Sequence, residues 1–343
     1  MPRMLIAAFR RTTFQGMKHV SVLVPRGAVA LGCIEGSFIL FTMANNFLAA
    51  RGKPALFAVQ LVGLTREAQV YDRFFSVRPD ATFEEVAQTD LVIIPAVNGD
   101  KTEVIAQNRA FLPWIVRQHE AGAEVASLCV GAFLLAATGL MKGRKCATHW
   151  IAANEFRRLF PDVDLVSEGI ITDEGGIYSS GGALSFWNLL IYLLEKYAGR
   201  EVAIFASKFY EIEIDRSSQS SFLIFNGQRD HQDEAVRKAQ EFIEGNYHER
   251  ISVDQLCEMC AVGRRSLERR FRQATGNTIS EYIQRVKIEA AKKSLETGRK
   301  SVTEVMYDAG YSDTKAFRTV FRKIAGVTPM DYRNKYNRGA ISA

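Results

Sequence analysis

The chain has 343 residues, of which 47% are hydrophobic, enough for two domains with a substantial core in each. Its net charge of +6 lies wholly in the last third: residues 1–230 hold 23 Lys and Arg against 23 Asp and Glu, whereas 231–343 hold 21 against 15. Five cysteines with no paired spacing argue against a disulfide scaffold and for a reducing, cytoplasmic setting, and no uninterrupted apolar run reaches the length of a membrane span.

Arg10-Arg11 superficially fits an export signal, but the apolar stretch that follows, Val20–Val24, is short and strand-like. Residues 1–17 are therefore read as an N-terminal extension. From residue 18 onward, short apolar runs alternate with amphipathic helices. Val20–Val24, Leu56–Leu61, Leu91–Pro95 and Glu124–Leu128 read as buried strands; Phe38–Ala50, Glu103–Glu120 and Gly131–Thr138 read as helices. Ile170–Thr172 and Ile177–Ser179 read as a hairpin around Glu174-Gly175-Gly176, and Ala183–Tyr197 as a closing helix. Such alternation predicts an α/β flavodoxin-like sandwich, a parallel sheet covered by helices on both faces, with ligands at the carboxyl ends of the strands.

One strand end carries chemistry. Glu124–Leu128 runs straight into Cys129, and Gly131 opens a helix. A thiol at a helix N-terminus is expected to ionise more readily than usual. The segment Ser127-Leu-Cys129-Val-Gly131…Gly139…Gly143…Ala147-Thr-His149-Trp150 resembles the ThiJ/PfpI branch of the class I glutamine-amidotransferase-like fold, over about residues 18–200. In enzymes of that kind the elbow Cys is the nucleophile, assisted by an acid from the first strand-to-helix region. The resemblance puts the nucleophile at Cys129 and a neighbouring His at His149, which could equally be a structural histidine. The acidic position, however, falls near Gly32–Cys33, with Glu35 two residues beyond, and Val130 after the Cys offers no hydroxyl or imidazole. A thiol without an acid or base beside it lacks its proton manager. No catalytic residue is therefore expected; Cys129, His149, Cys33, Glu35 and Val130 are read as lining a pocket that binds a small-molecule effector.

Asp215–Ser221 is polar and serine-rich and, with Asn226–Asp233, forms a linker spanning residues 214–233 between an effector and dimerisation domain at 18–213 and a second domain at 234–338. Phe222, Leu223 and Phe225 interrupt it, as a segment that transmits position would.

The second domain contains a loose duplication. Phe271-x4-Gly276-x-Thr278-x3-Tyr282 recurs 50 residues later as Phe321-x4-Gly326-x-Thr328-x3-Tyr332. In each copy a short amphipathic helix, a tight break and a second helix follow one another, over residues 253–274 and 302–325. Leu267 and Phe271, then Phe317 and Phe321, anchor the second helices inward. Ile279–Thr297 reads as one long connecting helix. The outward faces carry Arg264, Arg265, Glu268, Arg269 and Arg272, then Thr314, Lys315, Arg318, Thr319 and Arg322, a pattern suited to a major groove. Residues Glu241–Tyr336 resemble an AraC/XylS-type DNA-binding domain, notably Arg265-Ser-Leu-Glu-Arg-Arg-Phe271 and Gly310-Tyr311…Gly326-Val-Thr-Pro329. Gly263 departs from the family's usual capping Ser, and Met306 from its usual small Ala.

The resemblance implies that Arg265, Glu268, Arg269, Thr314, Lys315, Arg318 and Thr319 read bases, while Arg264, Arg272, Arg322 and Lys323 hold phosphates. Residues 339–343 are a tail. Cys257-x-x-Cys260 has zinc-like spacing, but no second ligand pair follows, so neither metal nor cofactor is expected. The reading that results is a sequence-specific transcription regulator acting on double-stranded DNA, homodimeric through its first domain, with RNA polymerase as a further implied contact. The alternatives are a Cys129-dependent hydratase or amidase tethered to a DNA-binding domain, and a thiol redox sensor.

Overall fold

The computed structural model describes residues 16–71, 74–166, 168–229 and 231–337; most of the expected N-terminal extension and the tail at 339–343 lie outside the described residues. The chain divides into two compact units, one of residues up to 149 with 160–216, the other of 150–159 with 217 onward.

Seven strands build the sheet of the first unit: β1 (Lys18–Val24), β2 (Phe57–Gly63), β3 (Ala81–Thr82), β4 (Leu91–Ile94), β5 (Glu124–Ser127), β6 (Ile171–Asp173) and β7 (Ile177–Ser180). Their order is β6-β7-β5-β4-β1-β2-β3, parallel throughout except for the β6–β7 hairpin. The interior strand β1 places Val20 opposite Val59 on one side and Leu91 on the other. Val20, Val22, Leu23 and Val24 are at most 1% exposed and Ser21 is buried with them, which explains why this strand reads as a largely apolar run rather than an alternation. Chain order reverses at β1, so the crevice between the carboxyl ends of β1 and β4 is the switch point at which such sheets bind ligands.

Seven helices accompany these strands in sequence: α1 (Leu31–Ala49), α2 (Lys101–Gln107), α3 (Phe111–Glu120), α4 (Ala132–Ala137), α5 (Ala153–Leu159), α6 (Ser185–Ala198) and α7 (Arg200–Phe209). Helix α1 starts seven residues before the expected Phe38. Gly36 lies inside it where a ring packs close: a Cβ there would lie 2.9 Å from Phe186. By length and composition α1 could cross a membrane, but Leu40, Phe41, Ala44, Phe47 and Leu48 are buried within the unit. The single helix expected over Glu103–Glu120 is two. Asn108 locks the break, accepting from the Arg26 N–H at 2.8 Å and donating to its carbonyl at 3.0 Å. Pro113 falls in the first turn of α3, where its missing N–H costs nothing. Three small ladders carry no periodic signal and went unpredicted: Ala28–Val29 with Val97–Asn98, Gln69–Tyr71 with Phe75–Val77, and Lys145–Cys146 with Asp164–Leu165.

The second unit is helical after residue 217: α8 (Glu234–Gly245), α9 (Val253–Cys260), α10 (Arg264–Thr275), α11 (Ile279–Thr297), α12 (Val302–Asp308), α13 (Thr314–Ala325) and α14 (Pro329–Tyr336). It holds two hydrophobic clusters. One contains Leu256, Leu267, Phe271, Ile279, Tyr282 and Val286; the other contains Ile288, Leu295, Val305, Met306, Phe317, Phe321 and Tyr332. Met306, at 1% exposure, is accommodated in the core as a gap-filling side chain. Both C-terminal helices start from a capping threonine, Thr278 and Thr328, and α11 and α12 carry full capping boxes with Glu281 and Glu304.

Gly131 sits at a tight backbone crossing of the first unit. A Cβ there would meet the carbonyl oxygens of Ile94 and Pro95 at 2.6 and 2.7 Å, and backbone cannot swing aside. Gly131→Ala should cost about 2–3 kcal/mol, measured by urea denaturation; an unchanged midpoint and slope would show that the turn has room to spare.

Candidate nucleic-acid interface and the cysteine turn

Helix α9 begins at Ser252, whose side chain accepts from the Gln255 N–H, and ends at Ala261 with φ 52°, a left-handed residue that turns the chain into α10. Gly263 caps α10 without a side-chain bond, whereas Asp313 at the matching place accepts from the Ala316 N–H at 2.7 Å. Leu267 and Phe271 on α10, and Phe317 and Phe321 on α13, are fully buried. That fixes the rotation of each helix, and with it which side chains face solvent.

On α10 the exposed residues are Arg264, Arg265, Glu268, Arg269, Arg272 and Gln273. Arg265, Glu268, Arg269 and Arg272 converge with Val253, Thr278, Ile279 and Ser280 on a concavity of about 450 Å³. Arg264 stands apart from it, paired with Glu268 at 3.2 Å and Asp254 at 3.3 Å. On α13, Thr314, Lys315, Arg318, Thr319, Arg322 and Lys323 are all exposed.

Several residues escaped sequence reasoning. Arg270, which belongs to neither the outward set nor the apolar anchors, forks onto Asp233 at 2.7 and 2.6 Å, holding that carboxyl below its usual range and tying α10 to the cap of α8. Lys287, near the middle of α11, is buried and donates to the carbonyls of Glu249 at 3.1 Å and Gly310 at 3.0 Å. Burial depresses its pKa. Glu249 precedes the first helix-turn-helix and Gly310 lies in the second, so one ammonium ties the two halves together. Gly310, at φ 72°, is needed there: a Cβ would lie 2.5 Å from the His248 carbonyl oxygen. The available signal was charged residues interleaved with Val286, Ile288 and Ala291 on an otherwise apolar stretch.

In the first unit, Cys129 follows β5 at φ 56°, and Cys129–Gly131 form a 3-10 turn leading into α4. Its N–H donates to Ser180 Oγ at 3.0 Å, and its carbonyl accepts from Thr148 at 3.1 Å. Two backbone bonds bring the turn and the start of α1 to the end of β4: Leu128 N–H to the Ile94 carbonyl, and Ala30 N–H to the Ala96 carbonyl. Cys33 and Cys129 therefore flank the switch-point crevice.

The expected readily ionised thiol is not found. Burial, aided by Cys33, pushes Cys129 up to about 12, against the opposing Val130 N–H and Lys101 charge. Cys33 is raised to about 11 by burial, with the Ala96 N–H opposing. The helix-terminus effect is outweighed because Cys129 is only 6% exposed, and desolvation penalises the thiolate more than one short helix favours it. Val130 is buried as well. His149 is part-exposed, and burial lowers its pKa. Glu35 is exposed, with its charge within reach of Tyr210. Cys260 on α9 donates to the Ala235 carbonyl at 3.3 Å.

Sequence comparison agrees with both units. The DJ-1/PfpI family matches residues 41–194, and a helix-turn-helix domain matches 256–335. The HTH-type transcriptional regulator GbdR of Pseudomonas aeruginosa strain UCBPP-PA14 is 27% identical over 268 residues, covering 75% of this chain and 69% of that protein. The HTH-type transcriptional regulator GlxA of Rhizobium meliloti is 22% identical over 258 residues, covering 74% and 78%. A crystal structure from Vibrio parahaemolyticus shares the fold of the first unit, at TM-score 0.51 and 24% identity over 56% of this chain and 98% of that one. The chain is a transcription regulator with a helix-turn-helix DNA-binding domain. More narrowly, a region similar to the DJ-1/PfpI family stands ahead of the two helix-turn-helix units, which resemble those of AraC-type regulators.

With a pKa near 12, on the order of one Cys129 thiol in 10,000 is ionised at pH 8. Iodoacetamide should leave Cys129 unmodified in the native chain and label it fully in urea, read by peptide mass spectrometry. Labelling as fast in the native chain as in urea would contradict this burial.

Proposed function

We propose that the two recognition helices, α10 and α13, read successive major grooves of double-stranded DNA, and that the first unit is a small-molecule sensor without catalytic activity. The observation that carries the DNA reading is the convergence of Arg265, Glu268, Arg269 and Arg272 on one exposed concavity, backed by buried Leu267 and Phe271. Arg265 and Arg269 offer the planar fork that suits a guanine edge; Glu268 accepts from cytosine or steadies a neighbouring arginine. Arg272 and the more peripheral Arg264 take phosphates. On α13, Thr314, Lys315, Arg318 and Thr319 take the base edges, and Arg322 and Lys323 the backbone.

The absence of catalysis is supported by the chemistry around Cys129. A buried thiol held protonated beside a second buried thiol, Cys33, is a poor nucleophile. We assign the effector to the switch-point crevice between Cys33 and Cys129, with Val130, His149 and Glu35 as its proposed further lining. Within this proposal the sensor and dimerisation domain covers 18–213, the linker 214–233 and the DNA-binding domain 234–338. The protein acts in the cytoplasm, where its DNA partner is, as a homodimer through the first unit, with RNA polymerase as a further contact.

Arg269→Ala should weaken binding to a cognate duplex by about 1–3 kcal/mol and relax preference at one base pair, measured by equilibrium binding to a panel of single-base variants. Equal affinity for every duplex would remove α10 from base reading. Cys129→Ser should leave DNA affinity unchanged; turnover of a substrate that vanishes with this substitution would replace the sensor with an enzyme.

A further inference from the structure

Residues 219–228 enter the second unit before its first helix, and they cross both halves of it. The 3-10 turn Ser220–Phe222 packs against α13, and a Cβ on Gly326 would lie 3.0 Å from the Ser220 Cβ. Tyr336 on α14 donates to the Ser221 carbonyl at 3.0 Å, and the Lys335 ammonium sits 4.2 Å from the centre of the Phe222 ring. Two residues later the segment lies on α11: Lys292 donates to the Leu223 carbonyl, and the Phe225 N–H donates to Glu289 at 3.1 Å. Its far end lies on the first half. The Phe225 ring is 5.1 Å from Tyr282, Gly227 leaves no room for a Cβ beneath the Tyr282 hydroxyl, and the Gln228 carbonyl accepts from Gln240 at 2.9 Å.

Glu289 and Lys292 form an ion pair at 2.8 Å with side chains 10% and 3% exposed. A buried pair of this kind is a poor way to stabilise a helix, because desolvation offsets most of the attraction. Here each partner also spends a hydrogen bond on the backbone of the crossing segment. The pair thus converts a desolvation cost into a specific grip on two main-chain groups, which apolar residues cannot provide.

We propose that residues 219–228 are a strap holding the two helix-turn-helix halves in one reading register, with Glu289 and Lys292 as its positioning residues. The strap follows directly from the end of the first unit at Arg216, so pulling or slackening that chain changes how well both recognition helices are presented together. A preformed pair of readers binds more tightly than a loose pair because less ordering remains to be done on DNA. The inference rests on the two-groove reading above.

The test uses the full chain and a duplex that the wild-type protein enriches from a random pool, together with two derivatives in which one half of that duplex is scrambled. Replacing the pair by apolar residues of similar size, Glu289→Met with Lys292→Met, keeps the fold or strengthens it. The expected result is amide exchange about tenfold or more faster across 219–228. Affinity for the intact duplex should fall about tenfold, while the weak affinity for each scrambled duplex changes less than about twofold. Should that variant fail to fold, Phe222→Ala with Tyr336→Phe loosens the strap from outside the core and carries the same expectations. Protected strap amides with unchanged affinity, or equal losses on intact and scrambled duplexes, would overturn the strap. A wild-type chain that enriches no duplex at all would instead overturn the two-groove reading beneath it.

Discussion

Helix α11 gives the first half of its buried face to one hydrophobic core and the second half to another. Ile279, Tyr282 and Val286 belong to the first cluster; Ile288, Ala291 and Leu295 belong to the second. Because the helix is a rigid rod rising about 1.5 Å per residue, this sharing sets the spacing of the two cores and hence of the helices packed on them. Phe271 and Phe321 then set the rotation of α10 and α13. A regulator that reads two grooves needs both quantities fixed, and one helix supplies them.

The polar groups within this unit fall into two populations with different work. Lys287, Glu289 and Lys292 are buried and spend their hydrogen bonds on carbonyls and N–H groups of the protein. Arg270 is taken up by Asp233. None of these contributes to a DNA-facing surface, although all count toward the charge of the last third of the chain. What remains outside is a smaller set on α10 and α13. The positive excess in composition therefore overstates the reading surface and understates the part that charge plays in holding it together.

Most of the architecture was legible from periodicity. The strands β1, β2, β4 and β5, the hairpin β6–β7, and the limits of α10 and α11 follow from apolar spacing and from the Thr278 and Gly276 punctuation. The errors share a cause. The start of α1 is set by a close ring contact at Gly36 that periodicity does not show; Asn108 reads as one more polar helix residue, yet binds the backbone of Arg26, 82 residues away. The reactive thiol was misjudged for a related reason: a strand-to-helix turn is visible in local sequence, whereas the burial that dominates Cys129 comes from Cys33 and the end of β4. Arg270, Lys287 and Lys292 are invisible as ties because their partners lie at least 23 residues away along the chain, apart from the local Glu289. Local order writes itself in sequence; long-range pairing of charge does not.

The first unit retains the strained turn of an enzyme fold, with its Cys at φ 56° and Gly131 jammed under β4, but presents a protonated, covered sulfur. That combination is what the proposed sensor reading rests on, while the second unit carries the helix-turn-helix domain. Hydroxyl-radical footprinting of the full chain on its selected duplex tests this most directly. Two protected patches on one face of the DNA, about one helical turn or 10 base pairs apart, are the expected pattern. A single patch, or two on opposite faces, would mean that α10 and α13 do not read together.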